Sequence, residues 1–503
     1  MPGGTFRYDI VIRGGRILDP ETGRDEIADL AITRDEIAAI GSGLDRGARE
    51  IDASGLVVAP GFVDLHAHGQ SVTADRMQAF DGVTTALELE VGVLPVSAWY
   101  AAQAEAGRLL NYGASAAWLY ARKAVMIGLD LDKRSHLGRL MAAGSDDMRW
   151  SLDVSSEAQA EEIIDLVRQG LDEGGLGIGI PNGYAPGAGV IEITRLCELA
   201  KAYETPTYTH IPFSSRYDPK STIESYIRLI GYAGATGAHM HICHFNSGSL
   251  LDVEHAAALV QKAQAQGLPI TTEAYPYGTG STFIGAGYFA DPEFFNRTGT
   301  THRTVQLVSS RRRFDSPEDL AAVRAKEPSL QVLWHFLDIE ENAHHRALLD
   351  VSVLFPGGAI ASDALPWNLP DGSVYTGQEW PLGPDKSSHP RSSGTFTRFL
   401  RHWVRERKAI SLMEAIAKCT LIPAKIVEGC APQLGRKGRL QEHGDADIVV
   451  FDPDTVTERA TFEQMHLPAE GMRHVLVNGH PVIFDGILDT EALPGRPILR
   501  SGR

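Results

Sequence analysis

Two histidines one residue apart, His66 and His68 in GFVDLHAHGQ, end an apolar run just before a glycine. On an extended strand residues i and i+2 project to one side, about 7 Å apart at their Cα atoms, so both imidazoles face the same way. In a run otherwise rich in Phe, Val and Leu, two such rings need polar partners to offset their burial. Glu88 and Glu90 in TALELEVGV repeat the pattern with carboxylates. Buried in an apolar strand, each costs several kcal/mol unless a cation or proton neutralises it. His210 in YTHIP, His244 in HICHFNSG and Asp363 in IASDALPW close further apolar runs. Taken singly, a histidine at a strand end packs and hydrogen-bonds, and Asp363 could cap a helix. Taken together, the imidazoles and carboxylates make a donor set for one or two divalent ions, and this mixture of nitrogen and oxygen suits zinc best.

The elements that must position them follow a regular alternation. From LVVAPGFVDLHAHG onward, short apolar runs alternate with helical stretches. AQAEEIIDLVRQGLDEG precedes GLGIGI, IEITRLCELAKAYE precedes PTYTHI, SYIRLIGYAGATG precedes HMHICHF, and DVEHAAALVQKAQAQG precedes LPITTEAYPY. About eight such units predict a (β/α)8 TIM-like barrel, whose chemistry sits where the strands end. His239 and His241 lie on the opposite strand parity from His244, so they read as packing groups or as supports behind the metal. The interval from about 284 to 350, with charged text such as SPEDLAAVRAKEP, is too long for a simple loop and reads as an inserted lid. His344 and His345 fall within it and read as solvated. The N-terminal YDIVIRGGRILDPETGRDEIADLAITRDEIAAIG reads as an antiparallel meander, and GRLQEHGDADIVVFDPDTV with GMRHVLVNGHPVIFDG returns to that texture. The expected organisation is α/β: residues 1–58 and 426–503 form a small β-sandwich domain from both chain ends, flanking a barrel over 59–425.

At 503 residues the chain is long enough for such a barrel and a second unit. Its formal charge of −17 repels nucleic acid and anionic membranes. The start of the chain lacks a secretory apolar region, and no stretch has the roughly 18 apolar residues of a membrane span, so a cytoplasmic protein acting on a small molecule is expected. A homo-oligomer is compatible with this reading. Cys197, Cys243, Cys419 and Cys430 show no CxxC pairing and read as free thiols.

The series APGFVDLHAHG, DGVTT, THI, CHFNSG, SDA and TLIPAKIVEG, ending in GRKGRLQEHGDADIVVFDP, resembles the amidohydrolase superfamily along nearly the whole chain. GLGIGIPNGYAPG, EAYPYGTGST and HPRSSGTF resemble segments of its D-aminoacylase, or N-acyl-D-amino-acid deacylase, branch. This resemblance implies a zinc centre with His66, His68 and Asp363 at a more exposed site and His210 and His244 at a tighter one. It further implies that Tyr184, Tyr275, Ser281 and Arg391 grip the substrate's carboxylate and acyl carbonyl. Two departures stand out. Where the branch places a bridging cysteine, this sequence has Val91 preceded by Glu90, and GLGIGIP offers no lysine that could be carboxylated instead. Glu90, nearer the strand's end than Glu88, is therefore assigned the bridge, with Glu88 behind it. Asn246 stands where the branch has a substrate-binding lysine, so it is expected to touch substrate with weaker hold on a carboxylate.

These residues point to an amide hydrolase acting on an N-acyl amino acid, of D configuration by resemblance. Asp363 would be the general base and then the general acid. The rival readings are a hydantoinase-like hydrolase of cyclic amide, carbamoyl or lactam bonds, and a metal-binding scaffold without catalysis. No GxSxG elbow accompanies the histidines, which argues against a serine hydrolase.

Overall fold

The structure, a computed structural model, describes residues 6–131, 143–144 and 146–501; the extreme N-terminus, read above for a leader, lies outside them. Eight parallel strands follow one another around a barrel in chain order: Phe62–Asp64, Val83–Val93, Asn111–Ala117, Ile178–Pro181, Pro206–His210, His239–Ile242, Ile270–Ala274 and Ala359–Ile360. The ring closes where the first and last strands run on past their named ends. There the amide of His68 donates to Ala364 O (2.7 Å) and that of Ala364 to His66 O (3.3 Å). The closure thus fixes the HxH segment directly against Asp363.

The helices between strands form because their sequences carry one apolar face. Glu157–Asp172 starts at a capping box, Ser156 with Gln159, and buries Ala160, Ile163, Ile164, Val167 and Leu171. That spacing of three and four places them on one stripe facing the barrel.

Both chain ends build one nine-stranded sheet. Tyr8–Asp19 pairs antiparallel with Arg24–Thr33, as the meander predicts, but parallel with Gly47–Asp52 and Val57–Pro60. One strand serves two parallel partners because its register breaks between Ile12 and Gly15, where Gly14 takes φ +64°. A Cβ on Gly15 would lie 2.5 Å from Val58 Cγ2, so the neighbouring strand approaches only because none is there. The C-terminal strand Ile448–Phe451 joins this sheet beside Val57–Pro60.

The interruption of the barrel rhythm is a three-stranded antiparallel sheet of Thr279–Phe283, Val305–Leu307 and Gln331–His335, the last in the middle. It begins before residue 284, and the helix Ala343–Val353 belongs to the barrel wall, burying Leu348, Leu349 and Val353 against Val253–Ala265. The charged first turn of that helix hides its apolar face from a sequence reading. His344 is exposed there, while His345 Nδ1 accepts from the Asp338 amide at 2.9 Å.

Barrel and end sheet are locked by one buried carboxylate. Asp447 accepts from Lys437 Nζ (2.6 Å), from Asn111 Nδ2 on the third barrel strand (2.9 Å) and from the Asn478 amide (2.7 Å). Lys437 also meets Asp445 Oδ2 at 2.9 Å, so loss of Asp447 removes one of its two carboxylates and leaves the buried Asn478 amide without its acceptor. Asp447→Ala is therefore expected to lower unfolding free energy by about 1–3 kcal/mol, the cost of a buried donor left unpaired, measured by urea denaturation.

Candidate metal centre

The site begins with the parity of the second strand. Glu88 and Glu90 alternate with Leu87, Leu89 and Val91, so the carboxylates share the inner face. Glu90 divides its two oxygens. Oε2 lies 3.4 Å from Nε2 of both His66 and His68, and Oε1 lies 3.0 Å from His210 Nδ1 and 3.2 Å from His244 Nε2. Asp363 completes the first half, its Oδ1 3.5 Å from Nε2 of both His66 and His68. The strand ends therefore gather every residue expected to hold a metal around one carboxylate.

Two of these residues hold left-handed backbones, Asp363 at φ +51° and His244 at φ +31°. Non-glycine residues pay for this conformation, and it persists where the surroundings over-determine it. His244 caps the short helix Phe245–Ser249, and Asp363 sits at the barrel closure. At His210 the neighbouring turn Asn182–Tyr184 comes so near that a Cβ on Gly183 would meet the imidazole at 2.6 Å.

Each HxH ring is braced on its far nitrogen. His68 Nδ1 faces both oxygens of Glu88 (2.8 and 2.9 Å), and His66 Nδ1 faces Glu273 Oε1 at 2.5 Å. Since a carboxylate only accepts, both Nδ1 atoms carry protons and both Nε2 lone pairs converge, 2.9 Å apart. Lone pairs at that distance repel unless a cation or proton lies between them. The charge balance agrees. Burial would raise the Glu90 carboxyl, but the imidazoles of His210, His244, His66 and His68 around it hold it well below the usual range. Burial would lower His68, but the charge and hydrogen bond of Glu88 push it up to about 9. Burial likewise opposes, and Asp363 and Glu273 overcome it, in raising His66. For His210 burial prevails and the ring is biased to its neutral form. The pocket thus draws positive charge to the Nε2 atoms. His66, His68 and Glu90, and again Glu90, His210 and His244, bring one donor atom each to within 4.8 Å of one another. Imidazole and carboxylate donors in groups of three fit zinc.

The centre opens into a cavity of about 380 Å³. The inserted sheet supplies one wall with Ser281, Thr282, Phe283 and Trp334. Tyr184 and Tyr275 line it as expected, Tyr184 donating to or accepting from Thr282 Oγ1 at 2.8 Å. The Tyr275 hydroxyl is buried without a hydrogen-bond partner among the described residues. Ser281 lines the cavity with its hydroxyl donating to Val332 O (2.9 Å). Arg391 is wholly buried behind the centre. Its Nη2 lies 2.9 Å from Asp363 Oδ2, its guanidinium stacks 4.5 Å from the Tyr275 ring, and Nε and Nη1 have no partner among the described residues. Asn246 is buried, its Nδ2 donating to the carbonyls of Tyr275 (2.9 Å) and Tyr277 (3.1 Å) and bracing that turn. Glu273 went unassigned in the sequence reading, although ITTEA presents the same signal as Glu88 and Glu90: a carboxylate inside a strand with no basic neighbour.

Comparisons place this architecture. The chain is 27% identical to N-acyl-D-glutamate deacylase and 28% identical to D-aminoacylase, both of Alcaligenes xylosoxydans xylosoxydans, over 94% of its own length and 93% and 94% of theirs. Its fold is similar to that of the N-acyl-D-glutamate deacylase of Bordetella bronchiseptica in complex with zinc and a phosphonate inhibitor (TM-score 0.74, 23% identity, 98% of this chain and 100% of that one). A D-aminoacylase structure is similar at TM-score 0.77 and 21% identity, with the same coverage. A D-hydantoinase from Bacillus sp. AR9 matches at 0.58 and 17%, over 98% of this chain and 99% of that one. The amidohydrolase family pattern matches residues 49–483, and the chain belongs to that family.

Proposed function

We propose that this amidohydrolase is a zinc-dependent deacylase of N-acyl-D-amino acids. The observation that carries the reading is Glu90, one oxygen turned to His66 and His68 and the other to His210 and His244, with Asp363 beside the first pair at the floor of the cavity. The full-length relatives named above, deacylases and aminoacylases of D-amino acids, support the substrate class.

When bound, zinc lowers the pKa of water to about 7 and polarises an amide carbonyl. His66, His68, His210, His244, Glu90 and Asp363 would hold it. Asp363 takes the proton of the attacking water and passes it to the departing amine, one carboxylate serving both halves of the reaction. Arg391 fixes Asp363 by its Oδ2, leaving Oδ1 toward the histidine pair. The Tyr184 hydroxyl, which lines the cavity, is the donor assigned to the developing oxyanion. The Tyr275 hydroxyl is the donor left at the cavity wall for a substrate carboxylate, with the Arg391 guanidinium stacked behind its ring.

Release of free amino acid from a panel of N-acetyl-D- and L-amino acids, run beside hydantoins and dihydropyrimidines, tests the assignment. Turnover of the D series is expected; turnover of the cyclic amides alone would contradict it. Two variants test the roles. Asp363→Asn is expected to lose about 10²–10⁴-fold in kcat, the usual worth of a general acid–base, while retaining zinc by elemental analysis. Glu90→Ala is expected to lose zinc from both histidine pairs, and full zinc content in that variant would remove Glu90 from the bridge.

A further inference from the structure

A file of polar groups runs back from the centre into the barrel interior, away from the cavity. Glu273 uses Oε1 for His66 Nδ1 (2.5 Å) and Oε2 for His241 Nε2 (3.2 Å). His241 Nδ1 then meets Thr271 Oγ1 at 2.9 Å, which also faces His239 Nε2 at 2.9 Å. Both Glu273 and His241 are buried, at 2% and 0% exposure. The file is built by strand pairing, since His239–Ile242 and Ile270–Ala274 set His241 directly beside Thr271. Side chains two residues on, at the same parity, bring Glu273 under His66.

The consequence concerns one tautomer. A free imidazole places its proton on either nitrogen, and only the form with hydrogen on Nδ1 presents a lone pair at Nε2, the atom that faces Glu90 and Asp363. Glu273 accepts from Nδ1 and so selects that form. His241 occupies the other carboxylate oxygen, so Glu273 cannot turn away without leaving a buried acceptor unpaired. Cys243 lies on the same side of His66, its Sγ within 4.8 Å of the His66 and Glu273 donor atoms, and the Nδ1 hydrogen goes to Glu273.

We propose that Glu273, steadied by His241, is a positioning residue that locks the His66 tautomer and thereby sets the metal affinity of the His66–His68 half of the centre. This rests on the metal-centre reading above. Partners of this kind behind a ligating histidine are worth about 10–100-fold in metal affinity.

The test uses the full-length protein, zinc competition against a chromogenic chelator, and the visible spectrum of the cobalt-substituted form. Glu273→Met, which removes the acceptor, is expected to weaken one of the bound metals by about 10–100-fold and to shift the cobalt spectrum. Glu273→Gln, which keeps an acceptor oxygen, is expected to show a smaller loss in the same metal. Wild-type affinity and an unchanged spectrum in Glu273→Met would overturn the proposal. Should that variant not fold, Glu273→Gln and His241→Gln decide: weakening of the same metal in both supports the lock, and wild-type affinity in both overturns it. A wild-type protein that binds no zinc overturns the metal-centre reading and this proposal together, whereas tight binding unaltered by the substitutions removes only the proposal.

Discussion

The structure turns on the convergence of the His66 and His68 lone pairs, 2.9 Å apart, on a point that Glu90 and Asp363 also face. Each group alone is expensive to bury, by several kcal/mol per ion. The apolar residues of the same strands, Val63, Leu65, Leu87 and Leu89, pack on the opposite face and offer these groups no partners. A shared cation would offset that cost for all of them at once. The carboxylates then sort themselves by distance from that point: Glu90 and Asp363 in contact with it, Glu88 and Glu273 one ring further out, each holding a histidine by the nitrogen that does not face it.

Such an arrangement needs a scaffold that brings remote segments to one rim and does not let them relax. Closure of the barrel does both. The backbone bonds between His68 and Ala364 join the first and last strands at the level of the site, so the HxH pair and Asp363 are held by the same contact that completes the ring. The left-handed backbones at His244 and Asp363 are sustained by that closure and by the short helix that follows His244. The inserted sheet adds a wall of Phe283 and Trp334 to the cavity that Asp363 and the tyrosines face.

Much of this is legible in the sequence because strand geometry has a period of two. HAH and ELE each state which residues share a face, and the helix-strand alternation states that there is a barrel rim for them to share. Glu90, assigned to the bridge only by its place nearer the strand end, is found between the two histidine pairs. What sequence parity does not show is which strands become neighbours across the barrel. Glu273 and His66 are 207 positions apart, and nothing local pairs them. Asn246 and Arg391 illustrate the same limit. A residue type states what bonds can be made, and only the fold shows that the Asn246 amide goes to the Tyr275 and Tyr277 carbonyls or that Arg391 takes one oxygen of Asp363.

The charge argument has one direct measurement. Crystals of the purified protein, with diffraction recorded on both sides of the zinc absorption edge, would locate any bound zinc by its anomalous signal. The account predicts a peak on each side of the Glu90 carboxylate, one within bonding distance of His66 and His68 and one within bonding distance of His210 and His244. Density showing these side chains bonded only to one another, or a zinc peak remote from Glu90, would contradict it.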